Sequence, residues 1–197
     1  MSKLYFRYGV MSSGKSAALL QVAHNYEKKG MYIRLIKPAI DTKAKDKVSS
    51  RIGIERTVDI LLTPTDKVLN RMESHKPAAI IIDEAQFLTI EQVDELYLIT
   101  KLYDIPVLCY GLRCDFKMQP FEGSARLLQI ADDIEELKTI CPCGSKATQN
   151  IRLINGEPVF EGEQIEIDDH TKVEYDGVCG LCYLKLKHGG KYNGRTI

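Results

Sequence analysis

A chain of 197 residues with 27 Lys plus Arg against 27 Asp plus Glu carries no formal net charge, and 44% of it is hydrophobic. Such a chain holds one full domain and at most a small accessory module, is too apolar to be disordered throughout, and has no general electrostatic pull toward nucleic acid or anionic membrane. Its longest continuous apolar run, Ala78 to Ile82, falls far short of the roughly 18–20 residues of a membrane span.

The chain enters a strand pattern at once, Leu4-Tyr5-Phe6-Arg7-Tyr8, without the long apolar stretch of a secretory signal, so a cytoplasmic protein is expected. Residues 16–29 place Ala18, Leu19, Val22, Ala23 and Tyr26 at helical spacing, stopped by Gly30. Residues 32–36 read as a strand ended by Pro38, and residues 42–56, with Lys43, Lys45, Lys47, Arg51 and Arg56, as a mobile basic loop. A short helix is predicted over 66–75, an apolar strand over 78–82 and an amphipathic helix over 90–103. A strand over 107–112, a helix over 121–131 and a more polar strand over 133–140 follow. Apolar strands alternating with helices predict an α/β fold, with a parallel sheet covered by helices on both faces. After residue 140 the chain is glycine-rich, carries four of the six cysteines and lacks a convincing amphipathic helix. The expected division is therefore 1–140 and 141–197, the second part needing a staple and ending in a frayed tail.

Gly9-Val10-Met11-Ser12-Ser13-Gly14-Lys15-Ser16 satisfies G-x-x-x-x-G-K-[ST] between a predicted strand and a predicted helix. In that setting backbone N–H groups converge on phosphate oxygens at the helix's positive end, Lys15 reaches the β- and γ-phosphates, and Ser16 can ligate Mg²⁺. An accidental Gly/Ser turn is the bland alternative, and the strand–loop–helix context argues against it. Asp83 and Glu84 end the apolar strand 80–82, where ligands of open α/β sheets bind. Alone, two solvated acids in a turn would explain them. Together with the phosphate loop they imply nucleoside-triphosphate chemistry on Mg²⁺ in a P-loop nucleotide-binding domain.

Cys141-Pro142-Cys143 and Cys179-Gly180-Leu181-Cys182 form two close pairs separated by 35 residues. Four thiolates so paired can enclose one tetrahedral, structural Zn²⁺, with Gly144 and Gly180 permitting tight turns beside the sulfurs. Four reduced cysteines without metal are the alternative. Cys109 and Cys114 flank an apolar strand, and the four histidines have no metal or triad spacing.

In order, these motifs resemble the zinc-containing, tetrameric type of thymidine kinase. The resemblance rests on residues 9–16, Lys47-Val48-Ser49-Ser50-Arg51-Ile52-Gly53 and Asp83-Glu84-Ala85-Gln86-Phe87. It rests also on Tyr110-Gly111-Leu112-Arg113-Cys114-Asp115-Phe116, Cys141-Pro142-Cys143-Gly144 and Tyr175-Asp176-Gly177-Val178-Cys179. It implies ATP-dependent phosphorylation of the 5′-hydroxyl of thymidine, and of deoxyuridine, in pyrimidine salvage by a homotetramer. Glu84 then matches the general base, and residues 83–86 belong with the phosphate loop at the nucleotide. Phe87 matches the aromatic packed on thymine, and Leu112, Phe116 and Tyr175 match pocket positions. Asn150 stands where a small hydroxyl residue lies beneath the base, and Arg51 resembles a residue reaching for phosphate. The four paired cysteines match zinc ligands anchoring a lasso loop over the nucleoside. This chain departs from the pattern in that loop, with Asp168-Asp169-His170 in place of a Gly-Gly pair.

Without the resemblance, Phe87 and Phe116 would read as core aromatics and residues 42–56 as a solvated linker. An ATPase or GTPase switch coupled to a partner, and a zinc-ribbon module binding nucleic acid, are the rival functions. The first lacks the guanine-reading Asn-Lys-x-Asp; the neutral charge and the acidic stretch 132–136 oppose the second.

Overall fold

A computed structural model describes residues 1–39, 46–71, 75–164 and 172–189. Strand β1 (Leu4–Tyr8) leads through the glycine-bounded loop into helix α1 (Lys15–Glu27), and β2 (Ile33–Pro38) follows. The short strands β3 (Lys47–Ser49) and β4 (Glu55–Thr57) pair as an antiparallel hairpin, and β5 (Ile60–Leu62) comes next. Strand β6 (Ala79–Ile82), helix α2 (Ile90–Leu102), strand β7 (Val107–Gly111), helix α3 (Glu122–Ile130) and strand β8 (Asp133–Glu136) carry the chain to residue 136. Strands β9 (Gln149–Ile154), β10 (Glu157–Val159) and β11 (Val173–Val178) and helix α4 (Gly180–Lys187) complete it.

Residues 1–8, 14–111 and 121–136 form one compact unit; residues 9–13 and 112–120 group with the chain from 137 onward in a second. The grouping is not a single cut in the sequence.

The first unit is built on a six-stranded sheet of order β5-β2-β6-β7-β1-β8, parallel at every pairing. Parallel sheets are buried on both faces, which is why β6 and β7 read as continuous apolar runs rather than alternating ones; all nine of their residues are buried. Their register pairs Ile80 with Val107 and Ile82 with Cys109. The carboxyl ends of all six strands therefore share one edge, from which the chain leaves at Tyr8, Ile82 and Gly111. Leu4, Phe6, Ile36, Val93, Leu96 and Leu127 join these strands in one core cluster.

Helix α2 begins in a capping box: Thr89 Oγ1 accepts from Gln92 N at 3.2 Å, and Gln92 Oε1 accepts from Thr89 N at 3.1 Å. Gln92 Nε2 also donates to the carbonyls of Thr63 and Asp66 at 2.8 and 3.0 Å. That second role explains why the helix expected over 66–75 is, in its described part, only a 3₁₀ turn at Leu69–Arg71. The Asp66 carbonyl, which an α-helix would give to Asn70, serves Gln92, and Asn70 N donates to Lys67 O instead. Residues 72–74 lie outside the described part.

The basic loop expected over 42–56 is, from residue 46 on, the β3–β4 hairpin. Lys47 Nζ meets Glu55 Oε1 at 2.8 Å, Val48 is buried, and Arg56 bridges Glu27 (2.8 Å) and Asp59 (3.1 Å). Lys47 and Arg56 are thus paired with acids rather than left wholly to solvent. Residues 42–45 are outside the described part.

The second unit holds a three-stranded sheet, β10-β9-β11, antiparallel throughout, and helix α4. The helix lies in a stretch expected to lack a convincing amphipathic helix, and it is not one. Its buried side is only Cys182, Tyr183 and Leu186, too short a stripe to register as amphipathic. The strand expected to run to residue 140 stops at Glu136, because Ile140 pairs with Lys146 and the Thr139 carbonyl accepts from Ala147 N at 2.9 Å. The residues expected as a frayed tail from 187 are helical at Lys187, turn through Gly189, and lie beyond the described part from 190.

Candidate nucleotide and metal sites

The phosphate loop requires backbone conformations that its residues supply unequally. Gly14, at φ 80°, adopts the left-handed conformation without a Cβ penalty, whereas Ser12 does so at φ 65° despite its side chain. Gly9 is irreplaceable for another reason: a Cβ there would run into Ser13 Oγ and meet the Leu137 carbonyl at 2.7 Å. Ser13 N turns back to Val10 O at 3.3 Å. Helix α1 then starts with no side-chain cap and no acid in its first turn. A helix N-terminus in that state attracts anions.

In the first unit Lys15 is half-buried, and its burial pulls the ammonium down to about 8, against the opposing pull of Glu84 and Asp83, with Arg51 pushing it down further. Those four side chains therefore share one electrostatic neighbourhood. Arg51, exposed in the β3–β4 turn, is the one member whose motif the sequence ties to it only by resemblance. Ser16 follows Lys15 on α1. Asp83 is buried at the end of β6, and its carboxyl is pushed up first by that burial and then by the Glu84 charge, with Lys37 and Lys15 holding it down. A carboxylate at a strand end and a serine hydroxyl are oxygen donors of the kind Mg²⁺ takes beside phosphates, while the lysine pairs with the phosphates themselves.

Glu84 sits at φ 52°, ψ 38°, left-handed for a residue with a side chain. Strain of this kind concentrates where geometry serves function. The 3₁₀ turn Ala85–Phe87 follows it, Phe87 N donating to Glu84 O at 3.0 Å. Gln86 is buried and donates Nε2 to Glu84 Oε2 at 2.6 Å, fixing the carboxylate's direction. Gly111 lets this happen, since a Cβ there would stand 2.7 Å from Gln86 Oε1. Phe87, half-exposed, meets the Phe121 ring edge-on at 5.4 Å.

The second unit holds the remaining candidates. Leu112 and Tyr175 are half-exposed. Phe116 is 1% exposed: the Arg152 guanidinium lies 4.0 Å over its ring, and its carbonyl accepts from Tyr183 Oη at 2.8 Å. Arg152 itself is buried and donates to the carbonyls of Glu161 (2.6 Å) and Glu163 (3.0 Å). Lys117 Nζ reaches Gly162 O at 2.9 Å, and Gln164 Nε2 reaches Asp115 Oδ2 at 3.1 Å. The segment 161–164 is thereby tied to residues 115–117. Sequence reasoning missed this tie because β9 was not foreseen. Its signal was the alternation Asn150, Arg152 on a buried face. Asn150 is 3% exposed, its Oδ1 accepting from Met11 N and its Nδ2 donating to Cys114 O, both at 2.8 Å. Asp168, Asp169 and His170 of the departing loop lie outside the described residues.

All six cysteines are thiols. The sulfurs of Cys141, Cys143, Cys179 and Cys182 lie within 4.8 Å of one another, with Cys143 Sγ and Cys179 Sγ 3.7 Å apart. Tetrahedral zinc with bonds of about 2.3 Å needs sulfurs about 3.8 Å apart, so the cluster fits the ion. Gly144, at φ 87°, makes the turn that returns its N–H to Cys141 O at 2.8 Å. Gly180 is different from expectation: it opens α4 at an ordinary φ with room for a Cβ, so no turn there demands glycine. Cys179 Sγ caps that helix, accepting from Cys182 N at 3.4 Å. Hydrogen bonds from Ser145 pull the Cys143 thiol down, while burial pushes Cys182 up.

Among the described residues no helix is long and apolar enough to cross a membrane. Among solved structures, a chain from a study of forked-DNA unwinding by Pif1 helicases is similar over 72% of this chain and 40% of its own, at 18% identity and a TM-score of 0.36, a likeness too slight to argue from. The thymidine kinase family profile matches residues 2–183. A thymidine kinase of Chromobacterium violaceum is 44% identical over 93% of this chain and 98% of its own length. One from Legionella pneumophila is 43% identical over 100% of this chain and 96% of its own. That of Enterobacteria phage T4 is 46% identical over 88% and 92%. With the phosphate loop, the Asp83-Glu84 turn and the thiol cluster in one chain, this likeness over almost its full length means that the protein belongs to the thymidine kinase family of nucleoside kinases.

Proposed function

We propose that the chain transfers the γ-phosphoryl of ATP to the 5′-hydroxyl of thymidine, and of deoxyuridine, giving the nucleoside monophosphate for pyrimidine salvage and DNA synthesis in the cytoplasm. The observation that carries this reading is the shared neighbourhood of Lys15, Arg51, Asp83 and Glu84, two cations and two acids of which one is buried and one strained. Residues 9–16 cradle the phosphates, Lys15 takes the β/γ bridge, and Arg51 meets the terminal phosphate. Ser16 and Asp83 would hold Mg²⁺, which supplies charge neutralisation to the phosphates. Glu84, aimed by Gln86, accepts the 5′-hydroxyl proton, while Ala85 and Gln86 keep the turn closed beside the nucleotide. Phosphoryl transfer then needs little covalent help, only positioning and charge.

The nucleoside reading assigns Phe87, Leu112 and Tyr175 to the base. Phe116, buried under Arg152, is a packing residue of the second unit rather than an open face for the base. Residues 1–140 act as the nucleotide-binding part and 141–197 as the zinc-held part that covers thymidine. Zinc is structural, because four thiolates leave no open position; a thiolate site also suits a reducing compartment. The homotetramer belongs to the same proposal, and the exposed apolar side chains of Leu98, Leu102 and Tyr103 at the end of α2 support it. Formation of thymidine monophosphate from ATP and thymidine, absent with ATP alone, tests the reading. Equal turnover of ATP with and without thymidine would favour the ATPase-switch rival.

A further inference from the structure

We infer that Asn150 is a positioning residue that fixes the first half of the phosphate loop for triphosphate binding, rather than a contact to the base; this rests on the kinase reading above. The inference begins with the register of β9 and β11, which sets Asn150 directly opposite Gly177. In an antiparallel pair, opposed residues present their side chains on one face. On that face both touch the phosphate loop. Asn150 Oδ1 takes the Met11 N–H at 2.8 Å. Gly177 leaves room for the loop to lie against the strand, since a Cβ there would come 2.7 Å from Val10 Cγ2 and 3.1 Å from Met11 O. The neighbouring Asp176 Oδ1 accepts from Ser12 Oγ at 3.5 Å. Three consecutive loop residues are therefore held from one sheet.

The chemistry of the amide assigns the role. Its acceptor end is given to Met11 N and its donor end to the Cys114 carbonyl, with the group 3% exposed. Asn150 thus joins the loop to the segment 112–120 through two short, buried hydrogen bonds. A phosphate loop works by aiming later N–H groups at the anion, so its earlier part must be held without using those donors. Met11 N–H is spent on Asn150, and the chain is free to curl through the left-handed Ser12 and Gly14 toward Lys15. Loss of the amide leaves Met11 N and Cys114 O without that partner and loosens the curl.

The test uses the full-length chain with its metal. Asn150→Ala should weaken ATP binding, measured by calorimetry, about tenfold, the size expected for removing one partner of a buried hydrogen bond. KM for ATP should rise in parallel, KM for thymidine should stay within about twofold, and zinc content should stay at one per chain. Gly177→Ala pushes on the same loop from the opposite strand and should give the same selective loss. Unchanged ATP affinity in Asn150→Ala overturns the inference. A loss confined to thymidine also overturns it and makes Asn150 a base contact. If Asn150→Ala loses both ligands and its metal, Gly177→Ala decides: a selective ATP loss supports the inference and any other result overturns it. A native chain that binds no ATP refutes the kinase reading itself, which keeps the two failures apart.

Discussion

Raising the pH from 7 to 9 should selectively weaken triphosphate binding by discharging Lys15. Burial holds that ammonium at about 8 in the free protein, with Glu84 and Asp83 pulling it up and Arg51 pushing it down. A group at about 8 is roughly nine-tenths charged at pH 7 and roughly one-tenth charged at pH 9. A polyanion binds the charged form, so its affinity should fall about tenfold over that interval, and binding near pH 8 should take up a fraction of a proton. The sign for stability is the reverse. Because the folded-state value lies below the ordinary one, the charged lysine works against the free fold below pH 8, and that cost fades as pH rises toward 10.5. Calorimetry with ATP at pH 7, 8 and 9, in two buffers of different ionisation enthalpy, reads both the slope and the proton. Lys15→Arg carries a permanent charge and should bind more weakly but with a flat profile. A flat profile in the native protein, or an equal slope in Lys15→Arg, would refute the argument.

Glu84→Gln should lower kcat by about 10²–10⁴-fold with little change in either KM, since a general base acts in the transition state; near-normal turnover in the folded variant would remove Glu84 from the mechanism. Because burial and Glu84 raise Asp83 above an ordinary carboxyl, its metal-holding form is lost as pH falls, so half-saturation should demand more Mg²⁺ at pH 6 than at pH 8. Cys182→Ser should abolish zinc in elemental analysis and lower Tm; full metal content would dissolve the four-thiolate assignment. Gly123→Ala should destabilise by about 1–3 kcal/mol in urea, because the new Cβ would stand 2.6 Å from Leu88 O and 2.7 Å from Ala85 O, backbone atoms of the Glu84 turn's continuation.

Strands β1, β2, β6 and β7 of the parallel sheet were legible because they are short, mostly apolar runs closed by Pro, Gly or Asp, a signal that depends only on neighbours in sequence; β5 (Ile60–Leu62) was not foreseen. The phosphate loop and the paired cysteines were legible for the same reason. What escaped depends on partners far along the chain. The hairpin of β3 and β4 rests on the Lys47–Glu55 pair and one buried Val48, and read by composition alone it is a run of charges. Strand β9 alternates Asn150 and Arg152 with Ile151 and Leu153, yet all four are buried, so its polar face is not the solvent face that such a pattern marks. Those polar residues are tolerated because Met11, Cys114, Glu161 and Glu163 supply their backbone partners. The helix over 66–75 failed similarly, its carbonyl claimed by a glutamine 26 residues away.

The membership of residues 9–13 and 112–120 in the second unit bears on how such chains can be recombined. A crossover between two homologues at residue 140 would look harmless in an alignment. It would nevertheless separate Asn150 from the Met11 and Cys114 it bonds, Arg152 and Tyr183 from Phe116, and Gly162 from Lys117. A chimaera that exchanges residues 9–13, 112–120 and 137–189 together keeps every one of those contacts within a single parent. A substitution at Asn150, Arg152 or Tyr183 is therefore felt in two short stretches, one more than a hundred residues upstream and one about thirty or more, and a graft of a new tail that keeps these contacts carries those stretches with it.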